Sequence, residues 1–219
     1  TSDITYLAGA MANHQIENLF FSPAAITYGL EYHLNALDDK VIAYDIRTQQ
    51  STNIFGGYFQ SEWTSKLFNV LIGARLDKHN LLENPVFVPR INFLYKPTTN
   101  LQVRASYSSG YRAPQAYEED FHVTQVGGLS LRTVLADNLK PEYSNSFALS
   151  ADYYCQIGDN WQGNILLEGF YTILDDVFAI RELETDTLTQ TLYQERYNAS
   201  GATIAGASIT AKAAYKDLF

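Results

Sequence analysis

LQVRASYSSGYRAP, residues Leu101–Pro114, is the stretch whose reading decides the fold. Leu101, Val103, Ala105 and Tyr107 are apolar, and Gln102, Arg104, Ser106 and Ser108 between them are polar. A period of two places the two sets on opposite faces of one strand. Ser109-Gly110-Tyr111-Arg112-Ala113-Pro114 then ends the strand on Gly and Pro and opens a long loop. The strand has an apolar face, a polar face, and a loop that starts with an aromatic ring and a guanidinium. The expectation is that the apolar face meets lipid and that the chain is part of a membrane β-barrel.

The same alternation recurs on both sides. Ile4, Tyr6, Ala8 and Ala10 keep step within Thr1–Asn13, and His14–Pro23 reads as a connector. Ile26, Tyr28, Leu30, Tyr32 and Leu34 alternate with Thr27, Gly29, Glu31, His33 and Asn35; a loop is expected from Asp38 to Thr52. Phe55–Trp63, Phe68–Leu76 and Val88–Tyr95 follow, with short turns at Thr64–Lys66 and Lys96–Asn100 and a medium loop at Lys78–Asn84. Beyond Leu101–Ser108, the run Tyr111–Glu142 reads as one long loop, and structureless loops of that length are usually functional. Phe147–Tyr153, Trp161–Ile173 and Ala205–Tyr215 alternate again, separated by a turn at Gln156–Asn160 and a polar excursion at Asp175–Asn198. Short turns and long loops therefore take turns along the chain, as in an up-and-down meander with two unlike rims. Trp63, Tyr95, Tyr153, Tyr154, Trp161 and Tyr215 gather beside the short turns, where an interfacial aromatic girdle would lie.

Composition narrows the class. The net charge of −9 without basic runs argues against a nucleic-acid partner, since phosphate binding needs clustered cations. Charged residues make up 18%, below the quarter usual for soluble domains. No apolar run reaches the ~20 residues of a helical span. The opening Thr1–Thr5 has no signal-peptide character, so the alternation leads to the expectation of a piece of a longer precursor, residues 1–219 being a partial barrel domain. Cys155 is the lone cysteine and has no motif partners; His14, His33, His79 and His122 are scattered; neither a phosphate loop nor G-x-S-x-G occurs. An enzyme, a cofactor and a metal centre are not expected.

A soluble antiparallel sandwich or barrel with its apolar face inward explains alternation equally well. Three features favour the membrane. Glu31, His33, Glu62, Arg75, Arg104, Asp152, Glu168 and Lys212 lie mid-strand on the polar face, where a wet lumen would accept them. The apolar face is rich in Tyr and Ala rather than in a tight Val/Ile/Leu set. The rims differ in loop length, for which a sandwich offers no reason.

Several stretches also resemble a known family. Ser109-Gly110-Tyr111-Arg112-Ala113-Pro114 resembles the G-[FY]-R-A-P stretch of TonB-dependent outer-membrane receptors. Asn138-Leu139-Lys140-Pro141-Glu142 with Ser144-Asn145-Ser146 is similar to their re-entry into the next strand. Pro89-Arg90-Ile91-Asn92 with Tyr95-Lys96-Pro97, and Gly73-Ala74-Arg75-Leu76-Asp77, resemble two further strands of the family. The segment around Gly206 departs from its pattern, with Ser208 where an acidic residue is common. The resemblance implies an all-β, antiparallel, multi-pass barrel of about 22 strands in the cell outer membrane, with a plug inside. About nine strands would be present here, without plug or signal peptide. It further implies energy-coupled uptake of a scarce solute, such as a ferric siderophore, cobalamin, haem or a glycan. Outer-membrane lipid would be one partner, and TonB, acting through the plug, another. The alternative is a non-transporting barrel, an adhesin or a soluble lipocalin-like carrier.

Two sets of site residues follow. Tyr111, Arg112, Gln115, Tyr117, Glu119 and His122 are candidates for contact with a small-molecule or oligosaccharide ligand at the outer mouth. The competing reading has Arg112 paired with an acidic neighbour, pinning the loop base to the wall. Glu118-Glu119-Asp120 with His122 reads as a solvated tip, because three consecutive acids on an extended backbone cannot all face one ion. The eight mid-strand polar residues named above are the candidate lumen lining.

Overall fold

A computed structural model describes residues 2–42, 46–114, 130–186 and 191–215. The strands are β1 (Ser2–Leu19), β2 (Ser22–Val41), β3 (Ile46–Thr64), β4 (Phe68–His79), β5 (Val86–Thr98), β6 (Leu101–Arg112), β7 (Ser130–Leu135), β8 (Glu142–Ile157), β9 (Trp161–Asp175), β10 (Phe178–Asp186), β11 (Thr191–Asn198) and β12 (Ala202–Tyr215). Nine of them form one antiparallel sheet in the order β1-β2-β3-β4-β5-β6-β8-β9-β12. This is the expected meander. Phe20–Phe21 and residues 65–67, 99–100 and 158–160 turn at one rim, and the longer connections leave the other.

The register puts every expected apolar set on one common face. Leu149, for example, pairs with Ala105 on one side and Gly169 on the other, and Gly169 pairs with Ala207. That face is open. Leu149 is 60% exposed and Ile209 71%. Among the described residues the buried apolar side chains are Ala24, Leu82, Val86 and Ala113, far too few to hold a soluble domain of this size. An open apolar face this large belongs against another apolar medium. The soluble reading required those tyrosines and alanines to be packed inward, and they are not.

Four boundaries differ from the sequence reading. β1 runs through the expected connector to Leu19, its ladder reaching β2 at Leu19↔Ser22 with a bulge after Ile16. β2 and β3 stay paired across the expected Asp38–Thr52 loop, up to Val41↔Ile46. They hold 20 and 19 residues. A tilted membrane strand needs about 9–11, so roughly 30 Å of hairpin continues past the hydrocarbon at 3.3 Å per residue. Beyond lipid neither face is selected for apolarity, so alternation vanishes while backbone pairing persists. The expected long loop contains β7, and the polar excursion is β10 and β11. These three form a second sheet, in the order β10-β11-β7, with β11 and β7 parallel.

At the hairpin end Arg47 donates to Asp38 at 2.9 and 2.6 Å, and these bonds hold the Asp38 carboxyl down at about 2. A depressed carboxyl favours the paired form above its unfolded value, so this contact persists at neutral pH and is lost only as pH falls toward 2. Most of the expected girdle stands on the apolar face at the short-turn rim, where Trp161 meets Tyr215 at 5.1 Å and Trp63 meets Phe20 and Phe21 at 6.5 and 6.0 Å between centroids. Tyr154 does not belong to it, because the register turns it to the polar face, where its hydroxyl donates to Asp152 at 2.7 Å.

Candidate functional site: the polar wall and the loop base

Residues opposite each other in an antiparallel ladder point to the same face. Glu31 pairs with Gly56 and Gly56 with Asp77; Tyr58 pairs with Arg75. Arg104 pairs with Ser150, Ser150 with Glu168, and Glu168 with Ser208. Followed through the ladders, all eight predicted wall residues fall on the polar face. They are not gathered at one point. Glu62 and Lys212 sit near the short-turn rim, Asp152 a step above Lys212, Arg104 and Glu168 at mid-height, and Glu31, His33 and Arg75 toward the loop rim.

One group is built. Arg75 donates through Nη1 to Glu31 at 2.5 Å and through Nε to Asp77 at 2.7 Å. The Tyr111 hydroxyl donates to the other Asp77 oxygen at 3.3 Å. Asp77 is buried, so its charge is compensated by a guanidinium and a phenol rather than by water. Space for this comes from glycine. A Cβ on Gly56 would stand 2.4 Å from Arg75 Nη2 and from Asp77 Oδ1. Above Asp77 on the same strand, buried His79 accepts from the Leu81 N–H at 3.0 Å. Lys78 donates to the Leu82 and Glu83 carbonyls at 3.0 and 2.7 Å, fixing the 80–85 connection. Leu82, Val86 and Ala113 pack there, with Val88 and Tyr111 against them.

Lower on the wall, Arg90 bonds Gln60, Asn164 bonds Asp152, and Ser208 donates to Glu168 at 3.3 Å. The wall is a hydrogen-bonded surface interrupted by charges, not an apolar one.

Of the predicted loop residues, Tyr111 belongs to the Asp77 group. Arg112 bonds Glu142 at 3.0 Å and lies 4.8 Å from the centre of the Phe178 ring. Glu142 also accepts from the Phe178 N–H at 2.8 Å. Arg112 therefore joins the two ends of the long loop to β10, the pinning arrangement weighed above. Gln115, Tyr117, Glu119 and His122, with Glu118 and Asp120, lie outside the described residues. Glu142→Ala should leave the fold intact and speed hydrogen exchange at the Phe178 amide about tenfold, read by mass spectrometry, because that amide loses its acceptor.

The sequence reading named Arg75 and Glu31 but missed that Asp77 and Tyr111 complete their group. The signal was present: Arg75 and Asp77 are two apart on one strand and must share a face. Glu31 could be attached to them only through the register of β3 between β2 and β4.

With this geometry in hand, the family model described as "TonB dependent receptor-like, beta-barrel" matches residues 4–219. The chain belongs to the TonB-dependent receptor β-barrel family. The exposed apolar band of this receptor wall is its outer-membrane face. A relative of the wall is the iron-regulated outer membrane virulence protein of Vibrio cholerae serotype O1, 30% identical over 130 residues. That match covers 58% of the chain and 20% of the relative. Among solved structures, the siderophore receptor PirA of Pseudomonas aeruginosa superposes with a TM-score of 0.73 at 19% identity, over 94% of this chain and 38% of that one. PirA of Acinetobacter baumannii gives 0.70 at 18% identity, over 94% and 34%. The receptor wall described here thus spans between a fifth and two fifths of the length of these relatives.

Proposed function

We propose that this chain is part of the wall of an energy-coupled outer-membrane importer of an iron-loaded siderophore. The observation that carries the reading is the two-faced sheet. One face is apolar and open to lipid, the other is charged and hydrogen-bonded, and the Glu31–Arg75–Asp77–Tyr111 group braces the loop base at its mouth. A wet inner wall beneath braced loops suits passage of a bulky polar solute past a plug. TonB would act on that plug, and the plug would lie against the polar wall, including Arg104, Glu168 and Lys212. Siderophore uptake is favoured over cobalamin, haem or glycan because siderophore and iron-regulated proteins stand among the relatives. The role assigned to these residues is binding and passage, without bond chemistry.

The test is growth of a parent-gene deletion on a panel of ferric siderophores, haem, cobalamin and glycans as limiting sources. Growth lost on one or more ferric siderophores, and restored by the intact gene, supports the proposal. Growth lost only on another source reassigns the solute, and unchanged growth and uptake on every source rejects import.

A further inference from the structure

Three unfavourable features coincide at one corner of the short-turn rim. Phe20 holds a φ of 65°, a left-handed conformation costly for a residue with a Cβ. The Ser61 hydroxyl, on a residue only 3% exposed, has no hydrogen-bond partner. The Trp63 indole N–H is likewise sealed and without a partner. Ser61 and Trp63 are two apart on β3, so both point to the apolar face. Orphaned polar groups there are uncommon and call for an explanation.

The surroundings indicate what would satisfy them. Phe20 and Phe21 lie against the Trp63 ring at 6.5 and 6.0 Å between centroids, yet Phe20 itself is 84% exposed. Ser61 stands between Ile26 and Ile72 in the cross-strand row Ile26–Ser61–Ile72–Ile91–Tyr107, whose other hydroxyl, on Tyr107, donates to Asn145 at 2.8 Å. That row is continuous with the membrane-facing band. Ser61 lies three residues before the end of β3, about 10 Å from the turn at 3.3 Å per residue. This is the level of the glycerol and ester region of a leaflet rather than of its hydrocarbon centre. Exposed Lys66, in the turn itself, adds a cation at the same rim.

We propose that this corner is a binding site for one phosphoglyceride of the leaflet on the short-turn side. The Phe20–Phe21 turn swings aside, Ser61 and Trp63 donate to head-group or ester oxygens, Lys66 faces the phosphate, and the acyl chains lie along Ile26, Ile72 and Ile91. Aromatic residues at a rim are a general feature of membrane barrels. The specific element here is a covered pair of donors within the apolar band.

The whole receptor, purified in mild detergent, is titrated with dioleoyl phosphatidylethanolamine and followed by native mass spectrometry. Ser61→Ala should reduce occupancy of the tightest lipid adduct at least fivefold while leaving the melting temperature equal or higher, since the variant removes an orphaned group. Trp63→Phe should reduce it similarly. Unchanged retention in both variants overturns the proposal. Equal retention of dioleoylglycerol, or displacement of the adduct by inorganic phosphate alone, also overturns it, by removing the head group or the lipid from the interaction. The readout involves no imported solute, so it stands or falls independently of the siderophore assignment.

Discussion

Leu149→Arg in the whole receptor should lower barrel stability by about 2–4 kcal/mol, whereas Ser150→Arg, one residue away, should cost under about 1 kcal/mol. Leu149 stands mid-band on the apolar face, between Ala105 and Gly169, and a guanidinium there enters hydrocarbon with no partner in the ladder. Ser150 lies on the other face between Arg104 and Glu168, where a third charge finds water and a carboxylate. Reversible urea unfolding in lipid vesicles measures both. The asymmetry between neighbours is the informative quantity, because a general intolerance to arginine would penalise the two alike.

Arg75→Met should destabilise the receptor by about 2–3 kcal/mol and loosen the loop base. The substitution keeps the apolar stem but leaves Asp77, 5% exposed, without its cation. The figure is below that for a fully buried pair because Arg75 and Glu31 side chains keep 33% and 38% of their surface in solvent. Asp77→Asn in the same background should recover a good part of the loss, since the neutral amide no longer needs a guanidinium. Gly56→Ala should mimic the effect with Arg75 present, as its methyl would occupy the space the Arg75–Asp77 pair uses. The same vesicle unfolding series reports all three.

The legibility of this fold followed the lipid. Between Leu101 and Ser108, or Phe68 and Leu76, one face must be apolar and the other need not be, so the pattern is written directly into the chain. Residues 38–41 and 46–52 are mostly polar on both faces and read as a loop, yet they continue the β2–β3 ladder, which is made of backbone bonds that leave no side-chain signature. The same holds for β7, β10 and β11. Phe20-Phe21 escaped because a two-residue turn normally announces itself with Gly or Asn, and here an aromatic holds the left-handed position. The site was half legible. Arg75 and Asp77 declare a shared face by their spacing, whereas Glu31 and Tyr111 reach them across strands whose register no local pattern encodes.

The orientation of the two faces is tested most directly by single nitroxide labels in the whole receptor, with Cys155 replaced by Ala, reconstituted in vesicles. Labels at Val103 and Leu149 should be reached by oxygen and shielded from a water-soluble nickel chelate. Labels at Arg104 and Ser150 should be shielded from oxygen and meet either the chelate or a packed, immobile surround. Lipid contact at Arg104 and Ser150, with water or protein at Val103 and Leu149, would contradict the membrane wall and the importer built on it.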